Sequence, residues 1–240
     1  MHSLRLLFIY AMRVTSRVGF MGSSRHNMSV RGIRSGHWSG SKSTNTTYFD
    51  PSNSEIDVVW EKYFEKIYHT PGLTVIEQPI HPDFIIPVDE ASIRETLGAV
   101  PQKFLSDLAA VIVLGGSKKQ EKTFKNLFAY GRYWSNIIVL HPYPKKYLEQ
   151  HWKTLPKPSI LHEYERAGAE ITRDGKRWRI RFDEESLKQF YLRDVLVHEL
   201  GHHVDSENFR FKSHRAAENF AEWFASEYGY RPRIQENGLE

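Results

Sequence analysis

The stretch V-L-V-H-E-L-G-H-H-V-D, residues 195–205, sets His198, Glu199, His202 and His203 among Val195, Leu196, Val197, Leu200 and Val204. Apolar residues at that density predict a buried helix. Burying imidazoles and a carboxylate costs several kcal/mol unless something pairs with them. His198, Glu199 and His202 fit H-E-x-x-H. On a helix, positions i and i+4 share a face one turn apart, so two imidazoles there converge on one cation. Glu199 beside them is placed to hold a water and take its proton. Leu196, Leu200 and Val204 form the apolar stripe on the opposite side. A Zn²⁺ ion is therefore the expected partner of the polar face. Gly201, a poor helix residue, is expected to admit a close neighbour. The competing reading is a surface helix with incidental histidines from the twelve in the chain. The apolar content of the helix argues against it.

Zinc needs a third protein ligand. The spacing H-E-x-x-H-x-x-G-x-x-H would require glycine at 205 and histidine at 208, where Asp205 and Asn208 stand. Asp205 shares the face of the histidines but lies about 10 Å along the axis from His198. It is expected to serve as a helix-end acid or as a hydrogen-bond partner behind the ligands. His214 is a possible ligand at the start of the next helix. The best candidate is Glu218, in R-A-A-E-N-F-A-E-W-F-A-S-E-Y-G. In that helix Phe220, Trp223 and Phe224 form the expected apolar face. Glu218 and Glu222, one turn apart, lie opposite and are flanked by Ala217, Ala221 and Ala225. Small residues beside both glutamates predict close packing against that side. Glu222 is then expected to accept a hydrogen bond from a ligand imidazole.

H-E-L-G-H followed, a short connection later, by a glutamate on a second helix resembles the gluzincin zinc metallopeptidases. A-E-N-F-A-E-W-F is similar to the ligand helix of lethal-factor-like catalytic domains. The resemblance covers residues 185–228. It implies a zinc-dependent peptidase with His198, His202 and Glu218 as ligands, Glu199 as general base, and a protein or peptide substrate. It also implies an edge strand that binds extended substrate by strand addition. N-I-I-V-L-H-P (136–142) or K-R-W-R-I-R-F (176–182) is the expected strand. That family places a tyrosine shortly before the third ligand. Here Phe211, without a hydroxyl, occupies about that place. Tyr228, Tyr230, His214 and Arg215 are the remaining candidates for a transition-state donor.

The elements that must position these groups begin near residue 50. Asn53 or Ser54 is expected to cap a helix to His69, ended by Pro71-Gly72. L-T-V-I-E (73–77) reads as a strand and 79–87 as a loop. Asp89 caps a short helix through Leu97, and another runs from Pro101 to Leu108. A-A-V-I-V-L-G-G (109–116) and N-I-I-V-L-H-P read as buried strands. Residues 117–130 form a helix or excursion, and 143–170 are expected to be mostly helical, broken at Pro156 and Pro158. K-R-W-R-I-R-F alternates as a half-buried strand. Asp183 caps a long helix over 184–205, and a last helix spans 213–228. The pattern predicts an α+β, zincin-like metallopeptidase domain over 50–240, a small mixed sheet followed by an active-site helix and a C-terminal ligand helix. Residues 50–110 are expected as a helical lead-in.

Residues 1–49 hold seven basic residues and no acidic one, which leaves 26 basic against 29 acidic, a net charge of −3, on the remaining 191. The overall charge of +4 therefore belongs to a tail, and a nucleic-acid face on the body is not supported. The tail reads as disordered, as an organellar targeting segment or, less readily, as a secretory one. The absence of cysteine fits a reducing compartment, the cytoplasm. No apolar run is long enough to cross a bilayer. Two further readings compete with the peptidase: a zinc-stabilised binding module without turnover, and a nucleic-acid-associated protein led by its tail. An intact Glu199 disfavours the first, because a structural zinc site has no use for a general base. Oligomeric state is open.

Overall fold

A computed structural model describes residues 62–117, 130–209, 211 and 213–230. The N-terminal tail, the cap at Asn53 or Ser54 and nearly all of the 117–130 excursion lie outside the described residues. Helix α1 covers residues 62–69. It is followed by β1 (Thr74–Glu77), β2 (Phe84–Ile85), α2 (Glu90–Gly98) and β3 (Ala110–Val113). Then come β4 (Gly131–Trp134), β5 (Ile137–Leu140), β6 (Tyr143–Pro144), β7 (Glu149–Trp152) and α3 (Pro158–Arg166). The hairpin of β8 (Glu170–Asp174) and β9 (Arg177–Arg181) leads into the helices of the site.

A four-stranded sheet in the order β1-β3-β5-β4 carries the fold, with β1, β3 and β5 parallel and β4 antiparallel at the edge. The protein is thus α+β with a small mixed sheet. Strand β1 makes the stretch expected as a helical lead-in part of this sheet. Both faces of its strands are apolar, as parallel strands covered on both sides require. Val75, Val111, Val113, Ile138 and Leu140 pack toward α2 and the helices of the site, while Ile76, Ile112, Ile137 and Val139 pack with Ile67 of α1.

Several expectations are corrected. Residues 101–108 contain only a 3₁₀ turn, Gln102–Phe104. The stretch 143–170 holds β6, β7 and a second 3₁₀ turn before its one helix, α3. A second sheet, in the order β7-β9-β8, puts β9 between two partners. Strand β5 likewise lies between β3 and β4. Neither strand expected to receive substrate therefore has a free edge, since both rows of its main-chain groups are engaged.

Asp183 caps the next helix as a capping box, its carboxylate accepting from Ser186 N–H and the Ser186 hydroxyl facing the Asp183 N–H. Helix α4 (Glu184–Gln189) runs through a π-helical stretch, Phe190–Leu196, into α5 (Val197–Val204). A second π-helical turn, Asp205–Phe209, ends it. Helix α6 (His214–Tyr230) returns across α5. Among the described residues no helix is long and apolar enough to cross a membrane.

Candidate metal centre

Helix α5 is buried along its length except at His202. Val195, Leu196, Val197, Leu200 and Val204 are inaccessible, and so are His198, Glu199 and His203. Gly201 sits where α6 crosses. A Cβ there would lie 2.8 Å from Ala221 Cα and 3.1 Å from Phe224 Cβ. The glycine admits the second helix at backbone contact, and that contact brings Glu218 over the histidines. Ala221, Phe224 and Ala225 form the buried face of α6, whereas Trp223, expected there, is 52% exposed.

Three donor atoms converge. His202 Nε2 is 3.2 Å from His198 Nε2 and 3.4 Å from Glu218 Oε1, and His198 Nε2 is 3.7 Å from Glu218 Oε2. Among the described residues this is the cluster with the spacing of a metal-binding group. A zinc ion with bonds of about 2.0–2.1 Å in tetrahedral geometry separates its ligands by about 3.3 Å. Two imidazole nitrogens and a carboxylate at these distances fit that requirement.

Glu199 occupies the floor beside the trio. Edge strand β4 lies directly on it: a Cβ at Gly131 would fall 2.7 Å from Glu199 Cγ and 2.6 Å from Val195 Cγ1. Burial pushes the Glu199 carboxyl up to about 7, and the nearby charge of Glu218 adds to this. His202, Arg132 and a main-chain hydrogen bond from Tyr133 pull it down. Burial also opposes a charged His202, but Glu218, Glu199 and Asp205 outweigh it and raise the imidazole. Both groups thus hold a proton more tightly in the fold than in the unfolded chain. The contribution of Glu199 to stability is complete below about pH 4.5 and is lost as pH rises through about 7. The metal-free protein is expected to lose about 3 kcal/mol from this group across that interval. Denaturant unfolding with excess chelator at pH 5 and pH 8 measures it, and a stability that is flat or rises with pH would contradict it.

His203 has a different partner. Its Nε2 faces the Ser106 carbonyl at 2.8 Å and its Nδ1 faces the Tyr133 hydroxyl at 3.3 Å. It ties α5 to β4 and to the loop before β3, and burial holds its pKa down. Asp205 is a helix-end acid: it accepts the Phe211 N–H at 3.0 Å and fixes the connection to α6. Glu222 is partly buried, one turn beyond Glu218.

The proposed donors separate clearly. Tyr228 packs its ring against Phe104 and Phe224, and the Tyr230 hydroxyl is bound to Asp194. The two lie about 15 and 18 Å along the helix from Glu218. Arg215 is exposed. Phe211, 43% exposed, stacks on Phe209. His214 alone of these comes to the centre, with its Nε2 3.7 Å from Glu218 Oε1.

Two features of the site were not read from the sequence. Strand β4 is one. The other is a buried clamp: Arg166 Nε donates to Asp194 Oδ1 at 2.7 Å, and the Tyr230 hydroxyl donates to Asp194 Oδ2. It joins α3, the π-helical stretch one turn before His198, and the end of α6. Comparison with known protein families, curated proteins and solved structures returns no match.

Proposed function

We propose that the protein is a zinc-dependent metallopeptidase with a zincin-like domain of gluzincin type. The reading is supported above all by the separations of 3.2, 3.4 and 3.7 Å among His198, His202 and Glu218. His198, His202 and Glu218 hold the ion. Zinc, when bound, supplies Lewis acidity toward a carbonyl oxygen and an acidified water. Glu199, in its dry pocket, takes the proton of the attacking water and delivers it to the leaving nitrogen. A buried carboxyl beside the three donor atoms is placed for both halves of that transfer. Strand β4 ends the sheet beside Glu199, whose carboxyl takes a main-chain hydrogen bond from Tyr133, and an extended peptide would join the sheet from that side. A protein or peptide is the expected substrate.

Elemental mass spectrometry of the purified protein and of Glu218→Ala tests the centre. One zinc per chain, lost in the variant, is expected. Zinc retained at full occupancy in Glu218→Ala would remove the gluzincin ligand set. No zinc in either protein after reconstitution would remove the metallopeptidase.

A further inference from the structure

His214 opens α6 and stands one turn before Glu218 on the same side of the helix. Its Nε2 is buried and makes no hydrogen bond. It lies 3.7 Å from Glu218 Oε1, just outside hydrogen-bond range, and does not belong to the converging trio. An unsatisfied buried ring nitrogen is costly, and a closure of about half an ångström would satisfy it.

Glu218 differs from its fellow ligands. His198 and His202 project from a largely buried helix, with stiff rings. Glu218 reaches the centre on a longer side chain with more rotatable bonds, so its carboxylate must be held to ligate well. We propose that His214 is the positioning residue for Glu218, its Nε2–H donating to the carboxylate and fixing the orientation in which the third ligand meets the cation. The inference rests on the metal-centre reading given above. It concerns how the ligand is held and gives His214 no place among the ligands.

The test is the Zn²⁺ affinity of the full chain, by competition with a chromophoric chelator, for wild type, His214→Ala and His214→Gln. Glutamine carries an amide nitrogen where the imidazole has Nε2 and can donate the same hydrogen bond. His214→Ala is expected to weaken binding about 10- to 100-fold, and His214→Gln to restore most of it. The metal-free unfolding midpoint is the control; the His214 side chain is 30% exposed at a helix start, so the fold tolerates its loss. Wild-type affinity in His214→Ala overturns the inference. So does glutamine binding as weakly as alanine, since the N–H donor would then not be the property that matters. Failure of the wild-type protein to take up Zn²⁺ overturns the metal-centre reading itself.

Discussion

Glu199→Gln is expected to keep zinc at wild-type stoichiometry and to slow peptide hydrolysis about 10²- to 10⁴-fold. Glutamine matches the shape of glutamate, which matters because Gly131 leaves no slack: the position of its missing Cβ is 2.7 Å from Glu199 Cγ. The atoms of His198, His202 and Glu218 that would hold zinc are untouched, so metal binding should survive. The amide cannot accept a proton, so the water is no longer activated. The same substitution removes the cost of an ionised carboxylate in a buried site, and the metal-free variant should therefore be the more stable protein at pH 8. A fluorogenic peptide library, assayed beside elemental analysis, reads both effects. Unchanged turnover in Glu199→Gln would remove the general-base role and with it the mechanism.

Asp194→Ala should be the most damaging substitution outside the centre. Asp194 is fully buried and receives Arg166 and Tyr230 from two other helices. Removing it leaves a part-buried guanidinium and phenol without their shared acceptor. A loss of about 3–5 kcal/mol is expected in urea unfolding. Arg166→Met in the same chain should recover much of that, because the uncompensated charge is then gone and the stem volume remains. A double-mutant cycle measures the coupling. A loss below about 1 kcal/mol in the single variant would place the clamp with ordinary surface pairs.

Much of the frame could be read from residues 183–228 because its signals are local. Asp183 caps, the histidines repeat at i and i+4, and Gly201 faces alanine on a helix that must come close. The apolar runs 110–113 and 137–140 were equally plain. What escaped depends on partners distant in sequence or on turns with weak signatures. Strand β4 carries a glycine, an arginine and two aromatics, and its hairpin to β5 turns on Ser135 and Asn136 at φ 45° and 64°. A two-residue turn of that kind is usually marked by Asn-Gly or Asp-Gly. Tyr133 substitutes for that signal by hydrogen bonding to Asn136. Asp174-Gly175, with Gly175 at φ 56°, carries that dipeptide at the β8–β9 hairpin, but β8, with an acid at each end and an arginine, is too polar to read as a strand alone. The edge expected for substrate was misassigned for the same reason: a strand's neighbours are not visible along the chain. The clamp spans 28 and 36 residues, and nothing near Asp194 distinguishes it from a surface acid.

The π-helical stretch over Phe190–Leu196 has a further meaning. Such a turn accommodates one residue more than the α-helix would. It therefore takes up an extra residue between α4 and H-E-x-x-H without turning one relative to the other. Deleting a single residue between 190 and 196 would let the helix relax to regular α geometry. The segments on either side would then keep about the same phase, and the change would fall on the residues of the wide turn itself, Asp194 among them. The histidines would still meet Glu218, while Asp194 would have to reach Arg166 and Tyr230 from a tighter turn. The extra residue is thus slack that the fold has put to use: the wide turn presents Asp194 to its two partners while the helix on either side runs on undisturbed.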